Sequence, residues 1–91
     1  MESTTHIPPQ RVRTPDQIGA ALRRRRRALG LTQGQLGERA GLRQATISDL
    51  ERGAKGVHLK SLCDVMAALG LELIIDQRGN LSVETSIAEV F

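Results

Sequence analysis

Tryptophan and tyrosine are absent from this chain, and phenylalanine occurs once, at Phe91, the last position. Any buried core must therefore be built from Leu, Ile, Val, Ala and Met, and a cofactor caged by aromatic rings is excluded. A single cysteine, Cys63, rules out an intrachain disulfide. No apolar run approaches the roughly 18 residues of a membrane span, and no secretory h-region is present, so a reduced, cytoplasmic protein is expected. Histidine is scarce too. His6 and His58 have no partner at metal-ligand spacing, Cys63 has no base or acid arranged around it, and no glycine-rich phosphate loop follows a strand. Without such a constellation the chain is expected to be no enzyme and to need neither metal nor cofactor.

What is abundant is basic charge, unevenly placed. Residues 11–60 hold twelve of the thirteen Lys and Arg against Asp16, Glu38, Asp49 and Glu51, a net +8, whereas residues 61–91 carry −4. A basic half of this kind is the footprint of a phosphate-binding surface, and the acidic end points away from nucleic acid. The length of 91 residues suits one small domain with short tails. A core of that size is marginal alone, so a second copy of the chain would help it.

Residues 1–13 lack an apolar period and contain Pro8-Pro9, which reads as a flexible or extended arm whose Arg11 and Arg13 either touch phosphate or a minor groove or stay solvated. The first helix begins at Thr14-Pro15-Asp16-Gln17, with an N-cap, a proline in the first turn and a glutamine able to close a capping box. Ile18, Leu22 and Leu29 form its expected inner face and Gly30 its stop. Five consecutive arginines, Arg23 to Arg27, are the densest charge run. At about 100° per residue they spread around the helix and cannot all meet one DNA backbone, so most read as a solvated face.

The segment Leu31–Gly53, LTQGQLGERAGLRQATISDLERG, sets two short amphipathic helices around a glycine. Thr32 is a good N-cap, Leu36 and Ala40 share a face, and Gly41 stands where the turn asks for a positive φ. Leu42 anchors the turn. In the second helix Ile47 and Leu50 point inward, while Gln44, Ala45, Ser48 and Asp49 face out, and Gly53 ends it. Short polar side chains on the outer face suit a helix lying in a major groove. Gln44 can bind adenine N6 and N7 with both ends of its amide, Ala45 can touch a thymine methyl, and Ser48 can bond a base edge or phosphate. Arg43, at the helix mouth, takes phosphate or reaches guanine. Thr46 is a backbone contact or a packing residue, and Asp49 is neutral to binding or accepts from cytosine N4.

The run T-Q-x-x-L-x-x-x-A-G-L-x-Q-x-x-I-S-x-L-E-R-G resembles the Xre, or Cro/C1-type, helix-turn-helix family of repressors over roughly residues 15–70. More narrowly, Q-A-T-I-S followed by LELIID and a tail is similar to the HipB-type antitoxins, small dimeric repressors that also bind a kinase toxin. The resemblance implies that Arg26 pairs with Glu51 to tie helix 1 to helix 3, and that Gln33 clamps a phosphate at a positive helix end beside Thr32. It also implies a phosphate grip by the loop around Lys55. Arg25 departs from the family, where an aliphatic residue is usual, and its stem is expected to pack while its guanidinium snorkels.

Beyond the loop, Leu59, Leu62, Cys63, Met66 and Leu69 form the expected stripe of a further helix, with Cys63 in the core. Leu71–Asp76 is rich in β-formers, Gln77-Arg78-Gly79-Asn80 reads as a turn and Leu81–Glu84 as a second candidate strand. Such an edge is expected to pair with a symmetry mate through Leu71, Leu73, Ile74 and Ile75. The expected organisation is an arm over 1–13, a helix-turn-helix domain over 14–70, a β dimerisation element over 71–84 and a tail over 85–91. The fold class is all-α, lambda-repressor-like, with four to five helices and a short C-terminal β element, homodimeric. The tail holds Ile87, Val90 and Phe91; Phe91 is either an anchor for a partner protein or an incidental frayed end. As an expected function, the chain represses its own operon on double-stranded operator DNA as an antitoxin and binds a HipA-like kinase. The rivals are a free-standing Xre-type regulator and a toxin-neutralising module without operator binding.

Overall fold

Four helices lie within residues 7–79, the range that the computed structural model describes: α1 Pro15–Ala28, α2 Gln33–Ala40, α3 Gln44–Glu51 and α4 Leu59–Ala68. The Thr14 side chain accepts from the Gln17 N–H at 3.1 Å, and Pro15 occupies the first helical position, where its missing N–H costs nothing. Gln17 reaches back to the Arg13 N–H at 2.6 Å, one residue earlier than a standard capping box. Thr32 and Gln35 do complete that box on α2, each side chain taking the other residue's backbone N–H, at 3.0 and 2.8 Å.

All four helices end alike. A glycine at positive φ (Gly30, Gly41, Gly53, Gly70) is followed by a residue whose N–H returns to a carbonyl five positions back: Leu31 to Arg26, Leu42 to Gly37, Ala54 to Asp49, Leu71 to Met66. This left-handed cap satisfies carbonyls that the helix leaves free, and its hydrophobic follower packs inward. Leu31, Leu42 and Leu71 each lie against the core.

Every helix supplies that core. Leu22 comes from α1, Leu36 from α2, Ile47 and Leu50 from α3, and Val65 and Met66 from α4, joined by Leu69 at its cap. Leu36 and Ile47 are fully buried. Two glycines within helices permit close approaches of backbone to backbone. A Cβ on Gly19 would stand 2.6 Å from the Leu50 carbonyl oxygen, so α3 seats its last turn on bare backbone of α1; a Cβ on Gly37 would meet the Leu42 oxygen at the same distance.

Two expectations are corrected. Leu29 is exposed because it is the C-cap of α1 and has left the helical stripe; Leu31 enters the core instead. In α4 and its cap the inward set is half-buried Leu62 with buried Val65, Met66 and Leu69, while Cys63 and Leu59 (77% exposed) face outward. Cys63 falls about 100° around the axis from Leu62, and Val65 takes the place assigned to it. The expected β element is not shown: the described residues 71–79 form no strand in the single chain. Leu71 is drawn half-buried onto the core by the Gly70 cap, but Leu73, Ile74 and Ile75 are exposed, Ile75 at 98%. A strand exists only against a partner edge, and no described residue supplies one. Arg78-Gly79 forms the expected turn. Met1–His6, Asn80, the candidate strand Leu81–Glu84 and the tail with Phe91 lie outside the described residues.

Candidate nucleic-acid interface

The α2–turn–α3 unit presents one polar face. Gly41, at φ 73°, reverses the chain so that Arg43 becomes the N-cap of α3, with no side-chain bond to the first-turn N–H groups. Gln44 and Ala45 are exposed and Ser48 half-exposed, whereas Ile47 and Leu50 are buried beneath them. Thr46 is half-buried at the edge. The two helix N-termini converge on this face: Gln44 Oε1 lies 3.7 Å from where a Cβ on Gly34 would stand, and Thr32 Oγ1 lies 3.9 Å from the same point. Thr32 and Gln44 therefore border one rim, with Gln33, the first residue of α2, between Thr32 and Gly34 in the chain. Asp49 is neutralised locally, its Oδ1 accepting from Arg52 Nη2 at 2.7 Å. Lys55 is exposed in the loop before α4, beside Gly56 at φ 80°.

Behind the rim sits a buried carboxylate. Glu51, 3% exposed, receives Arg26 in a two-pronged pair, Nε to Oε2 at 2.6 Å and Nη2 to Oε1 at 3.0 Å. Gln33 Nε2 donates to Oε1 at 3.1 Å, and Arg23 Nε approaches the same oxygen at 3.5 Å. Arg26 Nη1 donates to the Leu31 carbonyl at 2.8 Å, so one guanidinium links α1, α3 and the α1–α2 turn. Burial resists the ionisation of Glu51. The hydrogen bonds from Arg26 and Gln33 and the charges of Arg26 and Arg23 outweigh it, and the carboxyl is held below the usual glutamate value. The Glu51 hydrogen bond and charge push Arg26 above its ordinary value against the opposing effect of burial.

The arginine run divides its labour. Arg26 is buried, and Arg23 leans on the Glu51 rim. Arg24 donates to Gln10 of the arm at 2.6 Å, and Arg27 is exposed. Arg25 corrects the expectation of a snorkelling head: its Nε donates to the Leu69 carbonyl at 2.9 Å in a partly buried site, satisfying an acceptor at the end of α4. That carbonyl was invisible to a helix-by-helix reading, as was the Gln33–Glu51 bond, since both join residues far apart in the chain. Gln35, three residues after Thr32, did carry a sequence signal, and so did Arg52, three residues from Asp49 on one helix face. Gly19 gave none.

The scaffold is similar to known proteins in sequence and in structure. Antitoxin HipB of Escherichia coli K12 is 29% identical over 77 residues, covering 85% of this chain and 88% of the relative. An uncharacterized HTH-type transcriptional regulator, y4dL, of Sinorhizobium fredii is 42% identical over 60 residues, 66% of this chain; the match spans 31% of that relative's length. Among solved structures, the HipA-HipB-O2-O3 complex superimposes with a TM-score of 0.71 at 28% identity, covering 76% of this chain and 97% of the other. A HipB-O4 20mer complex gives the same four values. The helix-turn-helix domain model matches residues 17–73, the stretch from the first turn of α1 to just past the α4 cap, and the chain belongs to the helix-turn-helix domain family.

Proposed function

We propose that this protein is a homodimeric, sequence-specific repressor of its own operon and the antitoxin of a toxin–antitoxin pair. One observation carries the reading: an exposed polar α3 face, flanked by the α2 N-terminus, on a scaffold that aligns with HipB over most of both chains. In this proposal α3 enters the major groove. Gln44 reads adenine, Ala45 and Ser48 sample neighbouring base edges, and Arg43 serves the groove mouth. Gln33, Thr32, Thr46 and Lys55 hold phosphates and set the register. Two copies pair through 71–84, using Leu71, Leu73, Ile74 and Ile75, and place their α3 helices about 34 Å apart on successive grooves. The exposure of Leu73, Ile74 and Ile75 in the single chain agrees with a surface covered in a dimer. The partner protein is a HipA-like kinase, supported by the match to the HipA–HipB complex; residues 85–91 engage it with Phe91 as the anchor.

Gel shifts on DNA upstream of the gene, against random duplex, test the operator half. Co-purification with the product of a neighbouring kinase-like gene tests the toxin half. The 42% identity to a transcriptional regulator favours a second reading, a free-standing regulator, for which operator binding persists and no toxin is captured. A toxin-neutralising module without DNA binding is opposed by the +8 charge of residues 11–60.

A further inference from the structure

The middle of the densest charge run of the chain is accounted for by contacts inside the protein, whereas its two ends, Arg23 and Arg27, are not; Arg27 is exposed on its own, and Arg23 lies beside Glu51. Arg26 balances the charge of Glu51 and gives a bond to each carboxylate oxygen. Arg25 is taken by the Leu69 carbonyl and Arg24 by Gln10. Arg23 approaches Glu51 at 3.5 Å, too long for the short contact of a charged hydrogen bond, with its side chain 42% exposed. It is thus a surplus cation beside a carboxylate already neutralised. Its position is defined by what shares that oxygen: Gln33 Nε2 donates to Glu51 Oε1 as well. Gln33 opens α2, and Gly34 and Thr32 next to it border the Gln44 side chain. Arg23 therefore continues the rim Gln44–Thr32–Gln33 one step outward, from α3 through the α2 N-terminus onto α1.

On the operator-binding reading above, we propose that Arg23 is a DNA-backbone contact. Its guanidinium and the remaining Gln33 amide proton would flank one phosphate while Glu51 holds the Gln33 amide from behind. A phosphodiester fits this place by chemistry: it is an anion with acceptor oxygens, met by a fork of N–H donors. The contact carries no base information, so it acts equally on cognate and random duplex.

Fluorescence anisotropy of labelled upstream DNA and of a random duplex, titrated across ionic strength, tests this on the full-length protein. Arg23→Gln should lower the magnitude of the log–log salt slope by about 0.9 for each bound protomer, on both duplexes. Arg23→Lys, which keeps the charge, should restore it, and Arg24→Gln should leave it near wild type. If Arg23 merely supports Glu51, Arg23→Gln lowers the thermal midpoint and leaves the slope unchanged, which overturns the proposal while the operator reading stands. An equal loss of slope in Arg24→Gln also overturns it, since any removed charge would then suffice. Absence of wild-type binding to either duplex overturns both readings.

Discussion

Replacing Gly19 by alanine sets two effects of opposite sign against each other. Gly19 lies in the middle of α1, where alanine is favoured over glycine by about 0.8–1.0 kcal/mol in intrinsic helix propensity, so a reading of α1 alone predicts a more stable protein. The packing predicts the reverse. The added methyl would stand 2.6 Å from the Leu50 carbonyl oxygen and closer still to that of Glu51. Both are backbone atoms of α3 and cannot rotate aside, so α3 itself must retreat from α1. Overpacking of this kind typically costs about 1–3 kcal/mol, and contacts made by main chain belong at the upper end, leaving a net loss of about 1–2 kcal/mol. For a domain of this size that lowers the thermal midpoint by about 4–8 °C per kcal/mol. Gly34→Ala is the matched control, because its Cβ would find ordinary contacts at 3.7 and 3.9 Å; it should gain about 0.5–1 kcal/mol. Far-UV circular dichroism reads both melts. A Gly19→Ala midpoint at or above wild type would show that α3 does not rest on the bare backbone of α1.

Glu51→Ala should cost about 3–5 kcal/mol, because it strands the buried Arg26 charge. In acid, the contribution of the lowered Glu51 carboxyl should be complete above the ordinary glutamate value and fade as pH falls through its depressed one. Arg26 stays charged throughout, so a wild-type acid limb no steeper than that of Glu51→Gln would refute the linkage. Gln44→Ala should lose about 1–3 kcal/mol at the cognate operator and little on random DNA, whereas Gln33→Ala should weaken both in parallel. Equal losses for Gln44→Ala would remove it as a base reader. A chain truncated after Gly70 should sediment as monomer and lose operator affinity; a tight dimer with full affinity would exclude the 71–84 segment as the pairing device.

The helices were legible because their signals are local. Thr14, Thr32 and the glycines Gly30, Gly41, Gly53 and Gly70 mark starts and stops within a few residues of the apolar positions they bound. The outward face of α3 followed from the same spacing. Contacts between distant residues were harder to read. The Arg26–Glu51 geometry was anticipated through family resemblance, since nothing in local spacing pairs residues 25 positions apart. Arg25 was misjudged because its acceptor is a carbonyl, and every residue has one; only the fold selects Leu69. Cys63 was misplaced because cysteine and leucine both pass as apolar, and the true stripe through Leu62 and Val65 differs from the expected one by a single step around the axis. For Leu73 to Ile75, β propensity measures fit to a neighbouring strand, which this chain alone does not provide over the described residues.

The glycine-ended connection between α2 and α3 acts as a counting device. Only Gly41, Leu42 and Arg43 separate the two helices, and Leu42 is fixed at both ends, by its N–H to Gly37 at 2.8 Å and by its side chain on the core. One residue inserted after Leu42 would turn the α3 sequence by about 100° on its own axis, carrying Gln44 off the outer face and Ile47 out of the core together. The core packing of Ile47 and the outer polar face of α3 thus share a single register in this chain. On the proposed operator reading, variation in preference falls to side-chain identity at Arg43, Gln44, Ala45 and Ser48, with the length of the turn held constant.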